Sequence, residues 1–110
     1  DDYADHTGCY DYIKGLANGE SVEYKYIDFT EEAASITVEA AGSASSINVY
    51  LDHELTPIAT IRTEKTAGKC LFMPFSAKLE KKISGKHMLR LEVRGGEDIS
   101  VNLKSFVFGE

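Results

Sequence analysis

The sequence predicts an all-β fold, an antiparallel β-sandwich built as one domain over residues 1–110. Three observations carry that expectation. Apolar and polar residues alternate with period two along most of the chain. Clusters of Gly, Asn, Asp and Pro interrupt the alternation roughly every eight to twelve residues, the spacing of short strands in a sandwich. No stretch sustains a helical period, and 110 residues leave room for a single core.

Taken in order, Val22, Tyr24 and Tyr26 share one face of the first clear strand, with Glu23 and Lys25 on the other. Glu31-Glu32-Ala33-Ala34 has the composition of one helical turn but leads straight into a strand pattern, Ser35 to Ala40, with Ile36, Val38 and Ala40 inward. Ile47 to Leu51 follows, then Pro57 to Thr63, where Ile58 to Ile61 are mostly β-formers. Cys70 to Phe75 is a short apolar strand whose Pro74 marks an edge or a bulge. Leu89 to Arg94 alternates cleanly until Gly95-Gly96 ends it, and Ile99 to Leu103 opens a last strand that runs to Phe108. The expected total is roughly seven to nine strands.

Charge and motifs narrow the function. Eighteen acidic against twelve basic residues give a net charge of −6, the wrong sign for a nucleic-acid partner. The run Lys78 to Lys82 is interrupted by Glu80 and reads as a solvated strand edge or turn. No apolar run approaches the ~18 residues of a membrane helix, so no membrane partner is expected. No Gly-x-Ser-x-Gly elbow accompanies His6, His53 or His87, and His87 reads as a structural histidine that bonds backbone at its turn. Gly95-Gly96 ends a strand instead of opening a helix, which excludes a phosphate-binding loop. The domain is expected not to be an enzyme and to need no cofactor.

Asp1, Asp2, Asp5 and His6 form a solvated acidic end, with no spacing typical of a metal site. Cys9 and Cys70 lie in no Cys-x-x-Cys pair; their spacing leaves open two separate thiols or one bridge. Sugar rings are held by stacking on aromatic side chains, and Tyr3, Tyr10 and Tyr12, ahead of the first clear strand, are the best candidates for exposed aromatics.

Several segments, in order and at matching spacing, resemble a family 6 carbohydrate-binding module. Asn18-Gly19-Glu20-Ser21-Val22-Glu23-Tyr24, followed by Ile27-Asp28-Phe29, is similar to the family's Asn-Gly-Asp-Trp-Ile-x-Tyr stretch and its Val-Asp-Phe-Gly. Ile47 to Asp52 resembles its Ile-x-x-Arg-Leu-Asp strand, with Pro57 to Thr60 after it. Thr66-Ala67-Gly68-Lys69 stands where the family has Thr-Gly-Gly-Trp. Ser84 to Leu91 is similar to Ser-Gly-x-His-x-Leu-Tyr-Leu, and Val101 to Phe106 to the closing Phe-Asn-Ile-Asp-Trp-Phe.

The resemblance implies a secreted jelly-roll β-sandwich, galactose-binding-domain-like, with no catalysis of its own. It would bind oligosaccharide or polysaccharide such as xylan or arabinoxylan and target a glycoside hydrolase catalytic domain in the same chain. The family begins with a Glu-Ala-Glu strand, whereas Asp1 starts partway into that pattern, so a fragment of a larger hydrolase is expected.

In the family's loop-end site a ring is sandwiched between a tyrosine and the tryptophan of Thr-Gly-Gly-Trp, beside an asparagine. Here Lys69 replaces the tryptophan, Gly15 falls at the tyrosine position with Tyr10 or Tyr12 close enough in sequence to substitute, and Asn102 is retained. Tyr10, Tyr12, Lys69 and Asn102 are therefore the expected ligand-binding residues. On the concave sheet face Ser21 replaces a second tryptophan, and Lys104 stands where a carboxylate for the family's structural calcium is expected. These departures imply an alternative role, a structural accessory domain that has lost sugar binding and packs against a family 43-type hydrolase.

Overall fold

The computed structural model describes residues 13–68 and 71–109. They form six strands: β1 (Ile13–Leu16), β2 (Ser21–Gly42), β3 (Ser45–Leu51), β4 (Ala59–Thr63), β5 (Met73–Arg94) and β6 (Val101–Gly109). All pairings are antiparallel, in the order β1-β6-β2-β5-β3-β4, and no helix occurs among the described residues. The expected all-β, antiparallel architecture is present. The pairs Cys9 and Cys70, and Asp1 and Asp2, lie outside the described residues.

The strand count differs from the seven to nine expected, for a definite reason. β2 and β5 are each 22 residues long and pair with each other almost throughout, from Ser21 with Glu92 to Ala40 with Met73. Their shared ladder shifts register between Tyr24 and Ile27 and again between Phe29 and Ser35. In sequence those irregularities look like strand ends, yet the chain passes through them as bulges that bend the pair. Glu31 to Ala34, with its helical composition, lies inside this bend of β2, where Ala33 pairs with Ile83. A partner strand beside it decides the conformation over local propensity.

The bent pair divides the sheet into two halves that curl round one core. Past the bend, Ser35 to Gly42 of β2 takes β6 on its second edge, and β6 takes β1. At the other end, Leu89 to Arg94 of β5 takes β3, which takes β4. Alternation then sends one face of each half inward. Ile36, Val38 and Ala40 come from β2, Ile47, Val49 and Leu51 from β3, Leu89, Leu91 and Val93 from β5, and Val101 and Leu103 from β6, all in one cluster. Burying each large aliphatic side chain contributes about 1.5–3 kcal/mol. Tyr24 packs against this cluster, its ring edge-on to Phe106 at 4.8 Å between centroids, and burial pushes its hydroxyl pKa up. Pro74 pairs only with Glu39 of β2, where β5 has no second neighbour, which is the edge position its missing N–H requires.

The turn after β3 is fixed by the strand it meets. Asp52 and His53 both take positive φ, 54° and 64°, and Glu54 N–H donates to Leu51 C=O at 2.9 Å. Asp52 exchanges two bonds with Met88, its amide donating to the Met88 carbonyl and its Oδ1 accepting from the Met88 amide, each at 3.0 Å. Its Oδ2 meets His87 Nδ1, while His87 Nε2 lies 2.8 Å from the Ser84 carbonyl oxygen. His87 is thus the structural histidine expected from sequence.

Candidate functional site

Two surfaces hold the polar chemistry. The first is the end of the sheet where β1, β2 and β6 meet the loop before residue 69. Asn102 is only 5% exposed, and its Oδ1 accepts a 2.7 Å hydrogen bond from the Gly15 amide. Gly15 takes φ of 69°, a region that disfavours side chains, so the position matched to the family's stacking tyrosine is one that only glycine fills without strain.

Next to this, Gly42 pairs with Val101 and exchanges bonds with Thr66. The Gly42 amide donates to Thr66 Oγ1 at 2.9 Å, and the Thr66 amide donates to the Gly42 carbonyl at 3.0 Å. Thr66 Oγ1 also donates to the Gly68 carbonyl at 2.8 Å, fixing the residue that precedes Lys69. Ser43 and Ser100 close the rim, the Ser43 amide on the Ser100 carbonyl and the Ser100 amide on Ser43 Oγ. Of the four residues expected to bind ligand, Asn102 is placed in this end, while Tyr10, Tyr12 and Lys69 lie outside the described residues.

The second surface is the outward face of β2, β5, β3 and β4, opposite the core, and here the reading from sequence missed most of the residues. Strand register sets them in three rows. Ser21, Glu92, Asn48 and Thr60 form the middle row; Glu23, Arg90 and Tyr50 lie on one side, and Arg94, Ser46 and Arg62 on the other. Glu92 is 7% exposed. Tyr50 Oη donates to its Oε1 and Arg94 Nη2 to its Oε2, both at 3.1 Å. Burial pushes the Glu92 carboxyl up, but bonds from Arg94, Tyr50 and Asn48 outweigh burial and hold it below the usual carboxylate range. The Arg90 guanidinium lies over the Tyr50 ring, 4.2 Å from its centroid.

One signal for this network was present in the motifs. Where this chain has Tyr50 and Arg90, the similar family motifs carry arginine and tyrosine, and the two positions are cross-strand partners. The pair is kept with its members exchanged. Ser21, at the place of a platform tryptophan, is exposed beside Glu92 and offers no stacking surface.

The residues present do not fit the family's structural calcium. Lys104 Nζ lies 5.8 Å from the centroid of the Phe72 ring where a carboxylate would be needed. Among the described residues no group of three His, Cys, Asp or Glu side chains converges.

The family profile for carbohydrate binding module (family 6) matches residues 3–110. The chain belongs to carbohydrate-binding module family 6. That family is non-catalytic, so the module is not an enzyme, and its two polar surfaces are to be read as places for ligand or partner.

CsCBM6-3 from Clostridium stercorarium, solved with cellobiose, is similar to the module at 30% identity and a TM-score of 0.79, over 90% of this chain and 73% of that one. A family 6 module from Clostridium cellulolyticum, in complex with xylose, is 24% identical with a TM-score of 0.79, over 87% and 77% of the two chains. An arabinoxylan arabinofuranohydrolase of glycoside hydrolase family 43 from Bacillus subtilis is 19% identical with a TM-score of 0.79; the match covers 90% of this chain and 21% of that enzyme. At those lower identities the last two speak for the fold alone. No curated relative matches the sequence.

Proposed function

We propose that the module binds plant polysaccharide of the xylan or arabinoxylan type at its loop end, outside the cell, and holds an appended glycoside hydrolase against it. The observation that carries this reading is the clamped carboxamide of Asn102. Its oxygen is fixed by Gly15 and the neighbouring loop by Gly42, so the loop end is ordered before any ligand arrives. Tyr10 and Tyr12 supply rings for stacking, and Lys69 a donor for a sugar hydroxyl.

A second reading, a structural domain that packs against a family 43-type hydrolase, is favoured by the same asparagine. Asn102 is almost fully buried, and Lys69 and Ser21 stand where stacking aromatics are expected. Each lost stack removes about 1–3 kcal/mol, by analogy with base–aromatic stacking.

Titration calorimetry with xylo-, cello- and arabino-oligosaccharides separates the two. Carbohydrate binding predicts heat with the parent and a loss of affinity in Asn102→Ala and in Lys69→Ala, with Lys69→Ala leaving the unfolding midpoint unchanged. No heat with any oligosaccharide up to millimolar concentration would reject it in favour of the structural domain.

A further inference from the structure

All three arginines of this chain, Arg62, Arg90 and Arg94, lie on the one outward sheet face, in a molecule of net charge −6. Arg62 and Arg94 flank Ser46 from the strands on either side of it, in a single row. Adjacent strands are about 4.8 Å apart, so the two backbones stand roughly 10 Å apart with a small residue between them. Two long side chains rising from either side of a serine leave a notch the width of a carboxylate, walled by guanidinium groups.

The two walls differ in how they are held. Arg94 is anchored through Nη2 to Glu92, while its side chain remains 55% exposed, so donors of its fork stay available to solvent. Arg62 is exposed and makes no ion pair among the described residues. The acids on this face do not cancel the pair. Glu92 is buried beneath the face, with Arg94 at 3.1 Å and Arg90 at 4.0 Å. Glu23 lies in the far row, opposite Arg90. Asn48, Thr60 and Ser21 between the rows give a floor of hydroxyl and amide groups, and Thr60 Oγ1 donates to Asn48 Oδ1 at 2.9 Å.

We infer that this face is a second binding surface selective for uronate-bearing glycans, seating the sugar carboxylate over Ser46 between Arg62 and Arg94. The inference rests on the module being a carbohydrate binder. Guanidinium forks match a carboxylate in plane and make charge-assisted bonds to it, which ammonium groups do less specifically. A uronate ring carries one such group among hydroxyls, which the polar floor suits. Phosphate polymers are disfavoured, because a repeating polyanion would meet the net charge of −6 beyond the notch.

The test uses titration calorimetry with a glucuronate-bearing xylo-oligosaccharide and the same compound with its carboxyl reduced to the alcohol. The acidic ligand should bind about tenfold tighter or more, and added salt should erode the difference. Arg62→Gln and Arg94→Gln should each reduce that preference while leaving affinity for the reduced ligand in place. Arg62→Gln is the safer variant, since Arg62 contacts no acid whose loss would loosen the fold. Equal affinity for the two ligands would overturn the inference and leave the carbohydrate-binding reading standing. So would a preference that survives Arg62→Gln and vanishes in Lys69→Ala, which would move the carboxylate to the loop end. No heat with either ligand would overturn both together.

Discussion

His87 faces an oxygen from each ring nitrogen, the Asp52 carboxylate at Nδ1 and the Ser84 carbonyl at Nε2. A neutral imidazole has one N–H and satisfies one of these; the imidazolium satisfies both. Asp52 accordingly raises the pKa of His87, and His87, with the Met88 amide, lowers that of Asp52. The other charged groups at this turn are His53 and Glu54 beside Asp52, and Lys86 and its cross-strand partner Asp28. A raised histidine contributes stability that is complete below about pH 6.5 and fades as pH climbs through its folded pKa; a lowered aspartate contributes above about pH 3.9 and fades as pH falls through its own. The pair therefore works fully between about pH 4 and 6.5. Both groups are partly exposed, so it adds about 1 kcal/mol or less. Urea midpoints of the parent and His87→Gln should differ most in that window and converge towards about pH 9. A difference that does not vary with pH would show the ring bonding in its neutral form.

At this scale the sequence was informative about some residues and silent about others. The role of His87 was legible because its bond to Ser84 is local. Glu92 was not: strict alternation marks it as outward and hence solvated, and it is buried because Tyr50 and Arg94 close over it. Asn102 was identified by resemblance, but its bond to Gly15 spans 87 positions, and no local pattern announces it.

Among the elements, β2 depends on one residue at its end. Gly42 takes φ of 111°, and a Cβ there would stand 2.4 Å from the Ser100 carbonyl oxygen. Gly42→Ala must therefore either shift β6 or surrender the bonds to Thr66, at a cost of about 2 kcal/mol or more. The expected result is a lowered thermal midpoint, together with weaker glycan binding if the loop end is the site. An unchanged midpoint would show that β6 yields without loss. The inward positions of β2 and β3 were legible from period two, since Ile36, Val38, Ile47 and Val49 are all essentially inaccessible. The continuity of β2 and β5 was not, because a bulge interrupts alternation just as a turn does.

For the whole molecule, one core cluster is lined by residues from β1 to β6, so neither half has a core of its own. Leu91, 1% exposed, sits on the stretch of β5 between β2 and β3. Leu91→Ala should lower stability by about 2–5 kcal/mol. Fluorescence and circular dichroism should nonetheless report one coincident unfolding transition for parent and variant alike. Separate transitions for the two probes would mean the halves unfold independently.

The two shared strands also restrict how such a domain can change over generations. Exchanging one half of the sheet for the matching half of a relative would break within β2 and within β5, joining stretches whose bulges were never paired with each other. Point changes on the outward faces meet no such obstacle, as the exchanged Tyr50 and Arg90 illustrate. Recombination is left with the entire domain as its smallest portable unit, and new ligand preferences arise by repainting a surface, one side chain at a time.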